Sequence, residues 1–225
     1  MSDAISAADF RAAAGTDDWR VLDQRATATF RTGSFTTGVQ LVEAIGELAE
    51  AANHHPDVDL RYGTVVVRLT SHDVGGLSER DVALAVQVSQ AARELDVPAD
   101  ATAAAGLTIA IDVLDGAAVQ PFWRAVLGYE EMTGSDPDDA APALVDPAGS
   151  RPTVWFQQMD APREQRNRIH LDVYVGTDVA EQRVADAVAA GGRLVTDRYA
   201  PAWWVLADAE GNEACVCTWQ EPADR

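Results

Sequence analysis

The sequence predicts an α+β protein made of two domains. Over residues 1–97, helical patterns alternate with pairs of short strand patterns, and over residues 107–225 a strand–helix–strand pattern occurs twice. The residues between these regions are rich in alanine and show no strong periodicity. We therefore expect a first domain over 1–97, a linker over 98–106 and a second domain over 107–225.

The composition limits the classes of function. Of the 225 residues, 47% are hydrophobic, which is enough to bury a substantial core. There are 36 acidic and 17 basic residues, and the formal net charge of −19 argues against nucleic acids and anionic membrane surfaces as partners. The chain has no lysine, which excludes Schiff-base and pyridoxal-phosphate chemistry and a P-loop.

We expect a cytoplasmic protein with reduced thiols. The opening residues, MSDAISAADF, have neither the basic nor the apolar segment of a signal peptide. No run of about 18 apolar residues is present to span a membrane. Cys215 and Cys217 are two residues apart, which is too close for an ordinary disulfide bond.

The first domain is predicted to fold as two layers, an antiparallel sheet with helices on one face. A short helix is expected at 5–14 and two strands at 19–22 and 27–31. A long helix follows Ser34, its predicted N-cap, and runs down to the sequence NHHPD, where Pro56 keeps it from continuing.

The sequence VDLRYGTVVVRLTSH then predicts two strands joined by a tight turn. Alternation places Val65, Val67 and Leu69 on one face of the second strand. Ser78 and Asp81 match a capping box of the form S-x-x-D and start a second long helix.

The second domain contains a divergent internal repeat. The segments GLTIAIDVLDGAAVQPFWRAVLGYE and RIHLDVYVGTDVAEQRVADAVAAGGRLV both read as strand, helix and strand, and each is followed by two further strand patterns. Two βαβββ modules fit this pattern, since a repeat pair indicates paired modules and a solenoid needs more copies.

Three of the four histidines fall within one short segment of the first domain. His54 and His55 are adjacent, and His72 follows 17 positions after His55. Three interpretations remain open: surface histidines before a turn, a metal site, or acid–base catalysis by groups that titrate near neutral pH. Adjacent histidines chelate a single ion poorly, which weighs against the metal site.

The motifs EAANHHPD and TSHDVGGLSERDVALA resemble those of pterin-4a-carbinolamine dehydratase, over residues 5 to 95. The resemblance implies an active site made by three histidines: His54, His55 and His72. It places three further residues in or beside that site: Glu50, Pro56 and Asp81. One departure is Val58, which stands where many members carry a large aromatic residue. Capping the helix at Ser78 would by itself explain Asp81.

The resemblance implies dehydration of 4a-hydroxytetrahydropterin to quinonoid dihydropterin, in tetrahydropterin recycling beside an aromatic amino acid hydroxylase. This reaction needs one acid and one base and no cofactor, with the pterin as substrate. The family also implies a homo-oligomer, a dimer or a tetramer. The alternative is a regulatory protein that binds a pterin or another small molecule without turnover.

The second domain resembles the glyoxalase-like branch of the vicinal-oxygen-chelate superfamily. The resemblance rests on FWRAVLGYE, NRIHLDVYV and LADAEGNEACV. Metal-dependent members place ligands on four strands, and the matching positions here are Thr108, Gln157 or Gln158, His170 and Cys215. Threonine and glutamine are weak ligands, so we expect no bound metal, and a soft-metal site using His170 and Cys215 is the less favoured alternative.

In place of a metal site, we expect an aromatic-lined pocket for a flat ligand such as a pterin. The candidate lining residues are His170, Cys215, Trp155 and Trp204. The competing interpretation makes them core residues, with His170 buried and hydrogen-bonded and the two cysteines acting as small apolar side chains. A third alternative, that this domain is the main enzyme, would require a metal.

Overall fold

The computed structural model describes residues 4–22, 24–132, 140–162, 170–218 and 220. The chain divides into two compact units, at Met1–Gly106 and Leu107–Arg225. Among the described residues, no helix is both long and apolar enough to cross a membrane.

The first unit is an antiparallel sheet covered by helices, as the sequence predicts. Its elements in chain order are β1 Ala4–Ile5, α1 Ala7–Ala12, β2 Arg20–Leu22, β3 Arg25–Arg31, α2 Phe35–Ala52, β4 Asp57–Arg61, β5 Thr64–Leu69, β6 Leu77–Ser78 and α3 Glu79–Glu94. Four strands form one sheet in the order β2-β3-β5-β4, and β1 pairs with β6 separately.

The core of the first unit lies between this sheet and helices α2 and α3. Val65, Val67 and Leu69 are fully buried on one face of β5, so the predicted alternation is confirmed. Trp19 packs edge-on against Phe30, and its indole N–H donates hydrogen bonds into α3. Residues 98–100, inside the expected linker, pair with β3 through a bridge between Ala99 and Phe30.

Helix α2 positions the double histidine by where it ends. Ser34 caps its start, as predicted, by accepting a hydrogen bond from the Thr37 amide. The helix stops at Ala52 because Asn53 adopts the left-handed conformation, with φ of 48°. The helix therefore runs down to NHHPD, as predicted, but the expectation that Pro56 ends it is wrong, because Asn53 does. His54 lies beyond the helix, in the connection to β4.

The second unit consists of two βαβββ modules, which confirms the prediction. The first module contains β7 Thr108–Val113, α4 Gly116–Leu127, β8 Glu130–Glu131, β9 Leu144–Val145 and β10 Thr153–Gln158. The second contains β11 Leu171–Tyr174, α5 Ala180–Ala189, β12 Arg193–Tyr199, β13 Trp203–Ala207 and β14 Glu213–Cys217. The sheet orders, β7-β10-β9-β8 and β11-β14-β13-β12, are equivalent, and each begins with a parallel pair.

A buried aspartate stabilises the same turn in both modules. Asp146, between β9 and β10, accepts hydrogen bonds from the backbone amides two and four residues later. Asp208, between β13 and β14, accepts from the amides at the same two offsets. Both aspartates are buried, with exposed fractions of 7% and 0%. Because a buried carboxylate is costly unless hydrogen-bonded, each aspartate fixes the conformation of its own turn.

Candidate functional site

A buried histidine–aspartate pair lies at the centre of the first unit's candidate site. The Nε2 atom of His54 is 2.7 Å from Oδ1 of Asp81. The exposed fractions of the two side chains are 8% and 0%. At this distance the two atoms form a hydrogen bond, which offsets the cost of burying both polar groups. This bond holds the imidazole of His54 in one orientation.

The other oxygen of Asp81 is saturated by donors. Oδ2 accepts from the Ser71 hydroxyl at 2.7 Å, from the Ser78 backbone amide at 2.8 Å and from the Ser78 hydroxyl at 3.2 Å. The capping box predicted for Ser78 and Asp81 is therefore formed. Asp81 is both a helix cap and the partner of His54, so capping alone does not describe it.

His55 and Glu50 lie at the surface beside this pair. His55 Nε2 is 3.1 Å from Glu50 Oε1, and the exposed fractions of these side chains are 57% and 80%. Adjacent residues in this connection thus differ sharply, with His54 buried and His55 exposed. Pro56 is half-buried and directly precedes β4. Val58, within β4, is half-buried against the core.

His72 is exposed in the turn that follows β5. Its neighbour Ser71 shares the Asp81 carboxylate with His54, which ties this turn to the NHHPD segment. Asp73 forms an ion pair with Arg80 on the same side. The hydrogen bond from Arg80 lowers the pKa of Asp73, so this carboxylate is ionised near neutral pH.

The second unit has a separate cluster of polar side chains on the face of β11 and β14 opposite the helix-covered core. His170 Nδ1 is 2.9 Å from Asp172 Oδ1 and 3.7 Å from Cys215 Sγ. The ligand atoms of these three residues all lie within 4.8 Å of one another. His170 is half exposed, so the interpretation of this residue as a buried core histidine is wrong.

The four residues predicted to line a pocket do not share one surface. Trp204 points into the helix-covered core, whereas its neighbours on β13 face the side that carries Cys215. The reason is the two-residue period of a strand, since Val205 and not Trp204 is paired with Cys215. Trp155 is half-buried on β10, opposite Ala110 of β7, away from the core side occupied by Phe156.

An aromatic row that the sequence analysis missed crosses the second module. Cross-strand pairing joins Tyr174 to Cys217, Cys217 to Trp203 and Trp203 to Tyr199. The rings of Trp203 and Tyr199 are stacked, with centroids 4.4 Å apart. Arg198 lies over the Tyr199 ring at 5.5 Å. Alternation along β13 puts Trp203 on the face opposite Trp204, but the row itself depends on the pairing among β11, β14, β13 and β12, which the sequence does not show.

The two thiols of the second unit are weak acids. Burial raises the pKa of Cys215 to about 12, and the neighbouring Asp172 carboxylate adds to the effect. Burial raises the pKa of Cys217 to about 11. Both side chains are therefore neutral thiols near pH 7 when no cation is bound to them.

Of the four strand positions that the resemblance assigned to metal ligands, two carry weak ligands. Thr108 and Gln157 lie on the face of β7 and β10 opposite the helix-covered core. Neutral hydroxyl and amide oxygens with one imidazole and one thiol do not fit a hard, oxygen-preferring ion. The imidazole, thiol and carboxylate of His170, Cys215 and Asp172 form a different donor set.

Two family models match separate parts of the chain. Residues 3–91 match the model of pterin 4 alpha carbinolamine dehydratase, and residues 108–217 match a glyoxalase-like domain. The fold and these matches define a two-domain α+β protein that joins a dehydratase-like domain to a glyoxalase-like domain.

Proteins similar to the first unit carry the name of the same family. A Chloroflexus aurantiacus protein named "Putative pterin-4-alpha-carbinolamine dehydratase" is 44% identical over 73 residues, which are 32% of this chain and 78% of that protein. A Nocardia farcinica protein of the same name is 41% identical over 76 residues, 34% of this chain and 80% of that protein. The chain belongs to the pterin-4a-carbinolamine dehydratase family, with a glyoxalase-like domain fused to its C-terminal side.

Solved structures are also similar to each unit. A transcriptional coactivator/pterin dehydratase from Brucella melitensis is 28% identical, with a TM-score of 0.33, and covers 34% of this chain and 83% of its own. A glyoxalase/bleomycin resistance protein/dioxygenase family enzyme from Burkholderia phytofirmans is 20% identical, with a TM-score of 0.43, and covers 52% of this chain and all of its own.

Proposed function

We propose that the first unit catalyses the dehydration of 4a-hydroxytetrahydropterin to quinonoid dihydropterin and water. The observation that carries this proposal is the buried pair of His54 and Asp81. The exposed His55 follows His54 in the chain, and the exposed His72 follows Ser71, which donates a hydrogen bond to Asp81. Membership of the dehydratase family supplies the substrate class.

The reaction requires two proton transfers and no redox partner. An acid donates a proton to the hydroxyl oxygen on C4a, so that the C–O bond breaks and water leaves. A base removes the proton from N5, and the electron pair of the N–H bond forms the C=N bond. Each such transfer contributes typically about 10²–10⁴-fold to the rate.

Asp81 defines how His54 would take part in this chemistry. A proton on Nε2 of His54, donated to Oδ1 of Asp81, leaves Nδ1 as the nitrogen that exchanges a proton with the substrate. His55 and His72 supply the other transfer and contacts to the substrate, with Glu50 orienting His55.

Purified full-length protein should accelerate the disappearance of freshly generated 4a-hydroxytetrahydropterin, followed by absorbance after rapid mixing. We expect His72→Ala to slow this reaction by about 10²-fold or more, and His54→Ala similarly. Glu50→Gln should also slow the reaction, because it weakens the contact that orients His55. Glu47→Gln is its matched control, because Glu47 is exposed one turn earlier on α2. Wild-type protein no faster than buffer would refute the proposal, and tight pterin binding without turnover would favour a regulatory role.

We further propose that the chain is a cytoplasmic homo-oligomer, a dimer or a tetramer, as the family resemblance implies. Phe35 and Val39 support this, because they lie one turn apart on α2 with exposed fractions of 51% and 45%. Light scattering at micromolar concentration should report a multiple of 24.0 kDa, and a monomer would contradict assembly.

A further inference from the structure

We propose that His170, Asp172 and Cys215 bind one divalent ion of borderline softness, of which zinc is the best fit, with Cys215 as a thiolate ligand. Asp172 lies directly opposite Cys215 in the parallel pairing of β11 and β14. His170 precedes Asp172 by two residues and faces the same side. The proposal concerns the second unit and is independent of dehydratase activity.

The distance between the nitrogen and sulfur donors matches a tetrahedral zinc centre. Zinc bonds of ~2.05 Å to nitrogen and ~2.3 Å to sulfur, at a tetrahedral angle, separate the two donors by roughly 3.6 Å. Nδ1 of His170 and Sγ of Cys215 are 3.7 Å apart. Nδ1 and Oδ1 of Asp172 are at 2.9 Å, so that pair would open by about half an ångström to admit the ion.

The chemistry of the donors selects the class of ion. Zinc accepts imidazole, carboxylate and thiolate ligands in one site, whereas magnesium and calcium require oxygen ligands throughout. Binding displaces the thiol proton of Cys215 to solvent, and the ion takes its place beside the Asp172 carboxylate. Glu213 lies two residues before Cys215 on the same face of β14 and adds negative charge to this surface.

The site is buried on one side only. Cys215 is buried in the sheet, with an exposed fraction of 6%, whereas the side chains of His170 and Asp172 are 49% and 45% exposed. Three protein ligands on an open surface leave a coordination position for water or a ligand, which is the pattern of catalytic rather than structural zinc. The neighbouring row of Tyr174, Trp203 and Tyr199 would contact the carbon skeleton of that ligand.

The proposed site keeps two of the four positions implied by the superfamily resemblance, His170 and Cys215. It adds Asp172, which is at none of those positions, and does not require Thr108 or Gln157. The proposal departs from the expectation of a metal-free second domain because it uses a thiolate and an additional carboxylate, which that expectation did not consider.

Cobalt titration of the full-length protein tests the proposal directly. One equivalent of Co²⁺, added anaerobically, should produce thiolate-to-cobalt charge-transfer absorption in the near ultraviolet and intense visible bands of a four-coordinate ion. Zn²⁺ should abolish both in proportion to its concentration. Cys215 and Cys217 are the only cysteines of the chain, so this absorption reports on the second unit even if cobalt also contacts His54 or His55.

Matched variants assign the ligands. Cys215→Ser should lose the charge-transfer absorption, and Cys217→Ser, its neighbour on the same strand, should retain it. His170→Ala and Asp172→Asn, at half-exposed positions, should each weaken cobalt affinity by at least about 10-fold with an unchanged far-ultraviolet circular dichroism spectrum. Those two variants decide the matter if Cys215→Ser fails to fold. Weak octahedral bands without charge transfer in the wild type, or absorption lost in Cys217→Ser but kept in Cys215→Ser, would overturn the proposal.

Discussion

Each unit contains a histidine–aspartate contact of similar length, and the two contacts differ in how far they are buried. The contact between His54 and Asp81 is 2.7 Å long and almost fully buried, whereas that between His170 and Asp172 is 2.9 Å long and about half exposed. The distances are nearly equal, so burial decides what each pair contributes. A buried pair is costly to break, because the remaining partner stays desolvated, while an exposed pair exchanges its partner for water.

The largest expected effect is on the stability of the first unit. Asp81→Ala should lower its free energy of unfolding by about 3–5 kcal/mol, because His54 and the donors at Ser71 and Ser78 all lose their acceptor. Native-state hydrogen exchange of the α3 amides measures this loss. Asp172→Ala in the second unit is the comparison, with an expected cost below about 1 kcal/mol. Equal costs would show that burial does not separate the two pairs.

The next effect is on catalysis and depends on the proposed dehydratase activity. In Asp81→Asn, the amide oxygen should take the place of Oδ2, which accepts from Ser71 and Ser78, and the amide N–H should then face His54. This arrangement forces the opposite tautomer on His54. We expect the dehydration rate to fall by about 10²-fold with a displaced pH profile.

Glu79→Gln, at an exposed position in the first turn of the same helix, should leave both the rate and its pH profile unchanged. An Asp81→Asn enzyme with the wild-type profile would show that Asp81 serves only as a helix cap.

A smaller loss is expected from removing one donor to the buried carboxylate. Ser71→Ala should cost about 1.5–3 kcal/mol, because the lost hydrogen bond is made to a charged group. Thr70→Ala removes a half-buried hydroxyl that donates to the neutral carbonyl oxygen of Gly76, and should cost about 0.5–1.5 kcal/mol. Denaturant unfolding of both variants gives the two values, and the reverse order would contradict the argument.

Asp146 extends the comparison to a buried carboxylate held by an arginine. The hydrogen bond from Arg151 lowers its pKa, so its stabilising contribution is complete above about pH 4 and is lost as the pH falls below that value. Arg151→Gln should therefore lower the second unit's stability by about 1 kcal/mol at neutral pH. The difference from wild type should shrink below pH 4 in thermal melts, and a constant difference would contradict this.

The smallest effect is expected at the exposed pair of His55 and Glu50. Glu50→Gln should change the stability of the first unit by less than about 1 kcal/mol, and the change should vanish in high salt. Thermal melts at two salt concentrations measure this. A change as large as that of Ser71→Ala would show that Glu50 is more deeply involved than its 80% exposure indicates.

Much of the fold follows from local patterns in the sequence. The cap at Ser34, the alternation on β5 and the capping box at Ser78 were predictable because each depends on residues close together in the chain. The end of α2 was not, because it depends on the left-handed conformation of Asn53 rather than on the more conspicuous Pro56.

The sites were harder to predict because burial depends on distant packing. Nothing local distinguishes His54 from His55, yet one is buried against Asp81 and the other is exposed. Trp204 was assigned to the wrong face because the register of β13 was not tied to that of β14. Asp172 was overlooked, although its spacing of two residues from His170 would have placed both on one face of a strand.

The dual role of Asp81 has a consequence for how relatives are interpreted over evolutionary time. One carboxylate starts helix α3 and holds the imidazole, so drift that abandons the proposed catalysis is still penalised at this position through folding. An aspartate here is therefore a poor marker of retained activity in a divergent descendant. His54 is the informative residue, since a descendant freed from catalysis can fill its place with an apolar side chain and a water molecule, and lose nothing in helix capping.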